Sequence, residues 1–428
     1  MSVLITELAN GFRIVSHQMP HLETASLGVW VNAGARSEAS GEHGISHLLE
    51  HMAFKGTARR SAREIAEEIE SAGGELNAAT SHETTAYYAR VLKGDVPLAV
   101  DIISDILRDP QFDSDELVRE QDVILQEIAA AEDSPDDVAH DLAQDAAYPQ
   151  QPLGRAILGT PESVSGFRPA DLTSYMVENY APRSMILGAA GAVDHAQLVK
   201  LAEAAFGDMP SASAPQSQAA EYAGGFRVST KPFEQAHLVL SFEGPSYNTG
   251  EMYTGQVLSS ILGGGMSSRL FQEAREQRGL CYSIYSYSWC LSDTGLFGIH
   301  AATGKDQALE LIGVMWGELE KLAEQLAGDD EIARARAQMK SGLLMSLESS
   351  GSRAEQIARQ SLAFGAPRSI DELVDKVDSV DKESVRALAS KIILSSRPSA
   401  SAVGVSGVAQ NLEKYIEDRA LQPVRAAE

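Results

Sequence analysis

Hydrophobic and polar positions alternate along several stretches of the first half of the chain, a pattern that is typical of half-buried strands. Strands are predicted at 11–18, at 25–33 and twice within 75–92. Apolar residues three or four positions apart predict helices. These helices are expected at 44–54, at 61–72 and from Asp113 or Ser114 to about 133. Ser61 and Glu64 form a capping-box pattern at the start of the second helix.

The second half of the chain repeats this kind of pattern after a segment without periodicity. Helices are predicted at 251–262, 267–278, 305–326 and 329–349, and strands at 281–290 and 294–302. The segment 206–222 is rich in Ser, Ala, Pro and Gln and is predicted to be a linker. The tetrapeptides that start at Gly11 and Gly225 read GFRI and GFRV, and they lie 214 residues apart, half of the 428-residue chain.

This spacing favours an internal duplication. The prediction is an α+β protein with two similar domains, residues 1–205 and 223–428, joined by the linker at 206–222. Each domain is expected to contain an antiparallel-rich sheet with helices packed on one face.

Composition narrows the class of protein. Hydrophobic residues make up 44% of the chain, which is enough for sizeable cores and argues against a disordered or collagen-like protein. With 35 basic and 60 acidic residues the formal net charge is −25, which disfavours binding to nucleic acid. No apolar run is long enough to span a membrane, and the first residues do not form a secretory signal. We expect a protein without membrane association, cytoplasmic if bacterial or in the mitochondrial matrix if it is a mature eukaryotic chain.

The clearest chemical motif is HLLEH in the helix predicted at 44–54. His47 and His51 are one helical turn apart and would share a face, which suits two nitrogen ligands of one Zn²⁺. Glu50 would lie beside them, where its carboxylate could take a proton from a water molecule. His43 is a competing ligand, but pairing it with His47 would leave Glu50 without a neighbouring water. The alternative interpretation is a helix with surface histidines.

A zinc site of this kind needs a third protein ligand, and the helix ending near 133 offers several acids. The candidates are Glu116, Glu120, Glu127 and Glu132. Glu120 and Glu127 are seven residues apart and therefore share a face. One of the two can bind the metal while the other orients a ligand histidine from behind. The alternative is a solvated acidic helix face.

The segment HLLEHMAFKGT, followed 76 residues after His51 by Glu127, resembles the pitrilysin-type metallopeptidases of family M16. The resemblance is to the short branch that includes the β subunit of mitochondrial processing peptidase and its bacterial relatives. It implies one zinc ion per chain, bound by His47, His51 and Glu127. It also implies that Glu50 is the general base, that Glu120 supports a ligand, and that two similar domains enclose a central chamber.

The family resemblance further implies roles for Arg275 and Tyr282, which are seven residues apart in the second half of the chain. In the family such a pair faces the zinc, where Arg can hold a substrate carbonyl and Tyr can stabilise an oxyanion. From the residues alone, a packing role in a helix and an aromatic strand is the simpler interpretation.

The resemblance also implies a mode of substrate binding. Segment 74–81 is similar to the edge strand that receives a peptide by strand addition, and Asn77 and Ala79 fall where the family contacts the substrate backbone. Phe54 matches the aromatic residue of the pocket just past the scissile bond. Asp137 and Asp141 match the acidic pocket for an arginine two residues before the cut, although the first is shorter than the usual Glu. A merely solvated acidic face is the alternative.

These inferences predict a zinc metalloendopeptidase that hydrolyses extended, basic peptides or presequence-like segments. The alternative is a non-proteolytic scaffold, similar to the core subunits of respiratory complexes. Short family members act as pairs, and this chain carries both HxxEH and the Arg–Tyr pair. We therefore expect a homodimer, with a heterodimer containing an inactive homologue as the second possibility.

Overall fold

The computed structural model describes residues 3–420 of the chain. The strands are β1 (Leu4–Glu7), β2 (Arg13–Gln18), β3 (Thr24–Val31), β4 (Glu75–Thr80), β5 (Thr85–Leu92), β6 (Met185–Gly191), β7 (Gly225–Ser229), β8 (Ala236–Glu243), β9 (Cys281–Cys290), β10 (Gly295–Thr303) and β11 (Ser399–Val403). The helices are α1 (Ile45–Ala53), α2 (Ala62–Ser71), α3 (Val96–Arg108), α4 (Ser114–Asp133), α5 (Pro135–Ala147), α6 (Pro161–Gly166), α7 (Pro169–Asn179), α8 (His195–Phe206), α9 (Met252–Gly263), α10 (Ala308–Glu324), α11 (Asp329–Ser346), α12 (Ser350–Phe364), α13 (Ile370–Asp378), α14 (Lys382–Ser395) and α15 (Ala409–Ala420). A π-helical turn spans Phe271–Gln277.

These elements form two compact units, and each is assembled from separate segments of the chain. Within the described residues, the first unit contains 3–129, Ala156–Gln218 and Leu343–Arg368. The second unit contains Ala130–Arg155, Ala219–Gly342 and 369–420. The units therefore differ from the predicted domains 1–205 and 223–428, because each takes one helical segment from the opposite half of the sequence.

The first unit is built on a six-stranded sheet with the order β1-β2-β6-β3-β5-β4. Only β2 and β6 pair in parallel, and the other neighbours are antiparallel. Strand β4 lies at an edge and pairs with β5 alone. One face of the sheet, which includes Leu27 and Val29 of β3, packs in one core with buried residues of α1, α3 and α8. These helices bury their apolar stripes there, as the helical spacing predicts.

The opposite face of this first sheet is covered by α12. Trp30 and Ile186 on the sheet pack against Ala354 and Ala358 of that helix. Gly188 of β6 allows the close approach, since a Cβ atom there would lie 2.8 Å from Cβ of Ala358. The sequence analysis predicted helices on one face only, and the covering helix on the other face is an additional feature of the fold.

The second unit repeats the architecture with a five-stranded sheet in the order β7-β11-β8-β10-β9. The first pair is parallel and the rest are antiparallel, as in β2-β6-β3-β5-β4 of the first unit. The GFRI and GFRV tetrapeptides lead into the equivalent strands β2 and β7. The common strand order supports the duplication that the sequence repeat indicates.

Helix α5 covers one face of the second sheet, as α12 does in the first unit. Ala139 and Ala143 of α5 pack against Val239 of β8 and Val403 of β11. The hydroxyl of Ser401 donates to the Ala139 carbonyl oxygen over 2.5 Å, and Ser399 donates in the same way to Ala143. The other face packs against α9, α10 and α14 in a larger core.

The predicted elements agree with the observed ones in both halves. The capping box of Ser61 and Glu64 is confirmed at the start of α2. Asp113 caps α4 by accepting hydrogen bonds from the backbone N–H groups of Asp115 and Glu116. The segment 267–278 was predicted to be helical and contains the π-helical turn. The linker prediction falls on 206–222, which lies outside any helix or strand after Phe206.

Candidate metal centre

Helix α1 presents two histidine rings on one side because its other side is buried in the core of the first unit. Leu48, Leu49 and Met52 are fully or almost fully buried. His47 and His51 are one turn apart, and their ring centroids are separated by 4.6 Å. Two imidazoles that are held this way by one helix can bind the same ion.

Glu127 of α4 supplies a third donor to this pair. Its Oε2 atom lies 3.7 Å from Nε2 of His47 and 3.7 Å from Nε2 of His51. Ligands at about 2.1 Å around a tetrahedral ion are about 3.4 Å apart, so the three atoms fit one zinc ion. The same Oε2 atom is buried and accepts no hydrogen bond among the described residues. A buried carboxylate oxygen that faces two imidazole nitrogens and accepts no hydrogen bond is typical of a set of metal ligands.

Glu120 stands behind His51, on the side of the ring that faces away from Glu127. Its Oε2 atom is 3.0 Å from Nδ1 of His51, and its Oε1 atom is 2.6 Å from Nζ of Lys55. Leu117, Glu120 and Ile124 are buried on the inner stripe of α4. The carboxylate of Glu120 thus holds the ring of His51 from the side away from Glu127, as carboxylates commonly do behind metal-binding histidines.

Glu50 lies next to the two histidines on α1 and is held by the edge strand. The hydroxyl of Thr80, the last residue of β4, donates to Oε2 of Glu50 over 2.5 Å. Burial raises the pKa of Glu50, and the hydrogen bond from Thr80 partly opposes that increase. Burial, and secondarily the charge of His51, lowers the pKa of His47 to about 4, which keeps its ring neutral and able to bind a cation.

The predicted peptide-contacting residues of the first unit line one cleft. Phe54, Asn77 and Ala79 border a cavity of about 780 Å³ that runs along β4. Asn77 and Ala79 are exposed, and the outer edge of β4 has no partner strand among the described residues. The end of this cleft is close to Glu50, because Thr80 follows Ala79 directly.

Arg275 and Tyr282 belong to the second unit, and the structure brings the two together. Arg275 lies in the π-helical turn and Tyr282 in β9. The guanidinium carbon of Arg275 is 4.8 Å from the ring centroid of Tyr282 and 4.6 Å from that of Phe271. Tyr282 is 79% exposed, so its hydroxyl is accessible.

Asp137 and Asp141 are exposed on α5 and one helical turn apart. Side chains at this spacing lie on one helix face, so the two carboxylates can act on the same cation. They belong to the second unit.

Sequence reasoning missed two supporting residues of the first unit, Thr80 and Lys55. Thr80 was contained in the predicted strand, but only the folded sheet shows that its hydroxyl reaches Glu50. Lys55 follows α1 and pairs with Glu120 of α4. Its position four residues after His51 was the only available signal.

Among residues 3–420, no helix is both long enough and apolar enough to cross a bilayer.

Two family models match the chain over most of its length. Residues 13–161 match insulinase (peptidase family M16), and residues 166–339 match the peptidase M16 inactive domain. A protein of Rickettsia bellii named an uncharacterized zinc protease is 39% identical, and the alignment covers 92% of this chain and 96% of the relative. An uncharacterized zinc protease of Bacillus subtilis is 38% identical over 90% of this chain and 94% of its own.

Solved structures show the same fold at lower identity. A protease from Helicobacter pylori superposes with a TM-score of 0.86 at 19% identity, covering 94% of this chain and 99% of the other. A peptidase M16 inactive domain structure from Pseudomonas fluorescens gives a TM-score of 0.87 at 19% identity, covering 94% and 98%. From the matched models and the full-length relatives, we conclude that the chain belongs to peptidase family M16.

Proposed function

We propose that the protein is a zinc metalloendopeptidase whose general base is Glu50. The observation that carries this proposal is the convergence of His47, His51 and Glu127 on one point with the Glu50 carboxylate beside them. The Rickettsia and Bacillus relatives are both named uncharacterized zinc proteases, and these names support the choice of zinc.

The side chains around the donors have distinct tasks in this proposal. Bound zinc would supply the Lewis acidity that polarises a peptide carbonyl and makes a water molecule acidic near neutral pH. Glu50 accepts the proton of the attacking water and can pass it to the leaving amine. Thr80 holds the carboxylate of Glu50 in one orientation through its hydroxyl. Glu120 fixes the ring of His51.

The edge strand β4 supports the proposal of an extended peptide substrate. A peptide that pairs with β4 would use backbone hydrogen bonds and would require little of its own sequence. Such a peptide would reach the catalytic carboxylate, since β4 ends at Thr80 and Thr80 binds Glu50. Phe54 would pack against the side chain that follows the scissile bond.

Charge in the cleft supports basic substrates. Glu70, Glu75 and Glu355 line the cavity, whereas Arg90 is the one basic residue among its lining side chains within the described residues. The net charge of −25 adds long-range attraction for cationic peptides. Asp137 and Asp141 are proposed to bind an arginine two residues before the cut.

The Arg275–Tyr282 pair of the second unit is proposed to act on the substrate as well. The guanidinium would hold a backbone carbonyl, and the exposed Tyr282 hydroxyl would stabilise the developing oxyanion. The stacking of Arg275 between Phe271 and Tyr282 restricts both side chains. Restricted donors lose little entropy when they bind the substrate.

Fluorogenic peptides that differ only in basic or acidic side chains test the activity and the substrate class. Basic peptides should be cut faster, and a chelator should abolish turnover until Zn²⁺ is returned. Glu70→Gln with Glu75→Gln should reduce kcat/KM for basic peptides and leave neutral peptides unchanged. Glu67→Gln is the matched control, because Glu67 is exposed on the same helix but pairs with Arg63 outside the cleft. Zinc-loaded protein that cuts none of the peptides would instead favour the scaffold alternative.

We also propose that the chain forms a homodimer, because it carries the zinc motif and the Arg–Tyr pair together. Light scattering on the purified chain should give twice the mass of 45.8 kDa. A monomer that becomes active only when a homologous chain is added would point to the heterodimer.

A further inference from the structure

The second unit contains a second group of metal-binding side chains, for which the proposed peptidase has no use. Asp136, His237 and His300, here called the second cluster, place one donor atom each within 4.8 Å of the others. Asp136 lies in the first turn of α5, His237 on β8 and His300 on β10. The three segments are far apart in the sequence, and all three belong to the second unit.

The fold places these polar residues in the contact between α5 and the second sheet, which is otherwise apolar. Asp136, Ala139, His140 and Ala143 recur at helical spacing and form the side of α5 that faces the sheet. His300 pairs with Val239 of β8, so His237 is two positions away and points to the same sheet face. His237 and His300 are 12% and 3% exposed, yet apolar side chains would normally fill such positions.

The donor atoms form a triangle that fits one ion. Nδ1 of His237 is 3.3 Å from Nε2 of His300, and Oδ1 of Asp136 is 2.8 Å from Nε2 of His300 and 3.9 Å from Nδ1 of His237. Ligands of a tetrahedral zinc ion are about 3.4 Å apart, so the two nitrogens already have this spacing. Binding would move Oδ1 of Asp136 about 0.6 Å away from His300 and about 0.5 Å towards His237, a shift that a half-exposed side chain can make.

Hydrogen bonds alone leave one corner of this triangle weakly bonded. If Nε2 of His300 carries a proton, it donates that proton to Oδ1 of Asp136 over 2.8 Å, and Nδ1 of His237 at 3.3 Å is left with a weak contact. If Nε2 carries no proton, its lone pair faces the carboxylate oxygen at 2.8 Å, which is repulsive. A single cation would be bound by all three atoms at once. Burial lowers the pKa of both histidines, so the rings are neutral and have lone pairs to donate.

The third imidazole of the region, that of His140, already has hydrogen-bond partners. Nδ1 of His140 is 2.9 Å from the backbone carbonyl oxygen of Asp136, and Nε2 of His140 is 3.3 Å from the hydroxyl of Tyr285. His140 therefore borders the three donors without being one of them. The Asp136 side chain is 48% exposed, which gives an ion a way in and leaves room for a water ligand.

We propose that Asp136, His237 and His300 bind a second divalent transition-metal ion, which fastens the first turn of α5 to the second sheet. Two imidazoles and one carboxylate suit Zn²⁺ and neighbouring ions such as Co²⁺ and Ni²⁺, and not Ca²⁺ or Mg²⁺, which prefer oxygen donors. The chain would then bind two metal ions, whereas the sequence prediction of one zinc per chain counted only the first site.

Metal analysis of the full, untagged chain tests this proposal without any activity measurement. The chain should bind two Zn²⁺ after dialysis against excess Zn²⁺, and the double variant His47→Asn with His51→Asn should retain one. Adding Asp136→Asn to that double variant should remove the remaining ion. His140→Asn in the same background is the matched control and should leave the ion bound.

The metal-free double variant should also melt at a lower temperature than its Zn²⁺-loaded form, since an ion that binds only the folded state stabilises it. Asp136→Asn should abolish this shift, and circular dichroism of the variant checks that it is folded. Because Asp136 is half exposed, its replacement by Asn tests the site even if the buried His300→Asn fails to fold. A double variant without metal, or one that keeps its ion after Asp136→Asn, would overturn the proposal.

Discussion

The two units each bring two histidines and one carboxylate together, but they surround these donors differently. His47 and His51 stand on one helix, with Glu120 and Lys55 behind them and the Glu50 carboxylate beside them. The second cluster takes its donors from a helix and two strands.

The side chains next to the second cluster also differ from those next to His47 and His51, because they include a tyrosine and a third histidine. His140 and Tyr285 form a hydrogen bond with each other. Burial raises the pKa of Tyr285 to about 12, so its phenol stays protonated. Nδ1 of His300 is buried without a hydrogen-bond partner among the described residues. Two histidines and one carboxylate are therefore not sufficient to define a function, because the surrounding side chains differ. His47, His51 and Glu127 have the Glu50 carboxylate beside them, as the proposed hydrolysis requires. The second cluster has the proposed role of fastening α5 to the second sheet.

The largest effect is expected for Glu50→Gln. This change removes the carboxylate that lies beside His47, His51 and Glu127. A general base contributes about 10²–10⁴-fold to a rate, so turnover should fall by that factor. The amide keeps the size of the side chain and does not touch the three donors, so zinc content should stay unchanged. Peptide cleavage and metal analysis on the same sample check both statements. Turnover equal to that of the Glu67→Gln control would refute the role of Glu50.

Removing one donor from the His47, His51 and Glu127 site should weaken zinc binding at that site and leave the second cluster unaffected. Glu127→Gln replaces the carboxylate that lies 3.7 Å from both imidazole nitrogens, and an amide is a much weaker zinc ligand. Zinc affinity should fall by more than about 100-fold, beyond the usual effect of residues behind a ligand. Competition with a chromophoric chelator measures the loss. An unaltered affinity would show that the third ligand is another residue.

Replacing Glu120, which lies behind His51, should have a smaller effect on zinc affinity. Glu120→Gln keeps a hydrogen-bond acceptor for His51 but removes the charge that faces Lys55, so zinc affinity should fall by about 10–100-fold. Glu116→Gln is the control on the same helix, because Glu116 pairs with Arg119 at the exposed end of α4. Equal affinities for the two variants would mean that Glu120 does not support the site.

Local patterns sufficed to predict most of what the first unit shows. The spacing of His47, Glu50 and His51 needs only a helix, and the seven-residue spacing of Glu120 and Glu127 needs only one more. Thr80 was out of reach, because its contact with Glu50 depends on how β4 packs against α1. The second cluster was out of reach for the same reason, since 136, 237 and 300 meet only through strand register and the docking of α5.

The exchange of α5 and α12 between the sequence halves was equally hidden. Both helices have ordinary amphipathic patterns, and nothing in such a pattern states which sheet it will cover. The repeated tetrapeptide indicated two similar sheets, and the observed strand orders agree with it. Contacts between distant segments decide which sheet each helix covers, and periodicity does not report them.

The two covering helices offer a comparison of stability, and the larger effect is expected in the first unit. In Gly188→Ala the new methyl would lie 2.8 Å from Cβ of Ala358 and 2.9 Å from Cζ3 of Trp30. Overpacking of this kind costs about 1–3 kcal/mol, so the melting temperature should fall. Gly94→Ala is the control, because nothing lies within 4 Å of a Cβ there. If both variants melt alike, α12 does not pack closely on β6.

The corresponding change in the second unit should be the mildest of all. Ser401→Ala removes the hydroxyl that donates to the Ala139 carbonyl oxygen, and a single hydrogen bond of this kind contributes about 0.5–1.5 kcal/mol. The lost hydroxyl leaves no clash, because alanine is smaller than serine. Ser406→Ala, at an exposed position beyond the strand, is the control for the loss of a hydroxyl.

Thermal melts of the two variants with and without Zn²⁺ would show whether a bound ion holds α5 on its sheet after the hydrogen bond is lost. If Zn²⁺ raises the melting temperature of Ser401→Ala and the wild-type chain equally, the metal and the hydroxyl contribute independently. A greater increase for Ser401→Ala would mean that the two act together at the same contact.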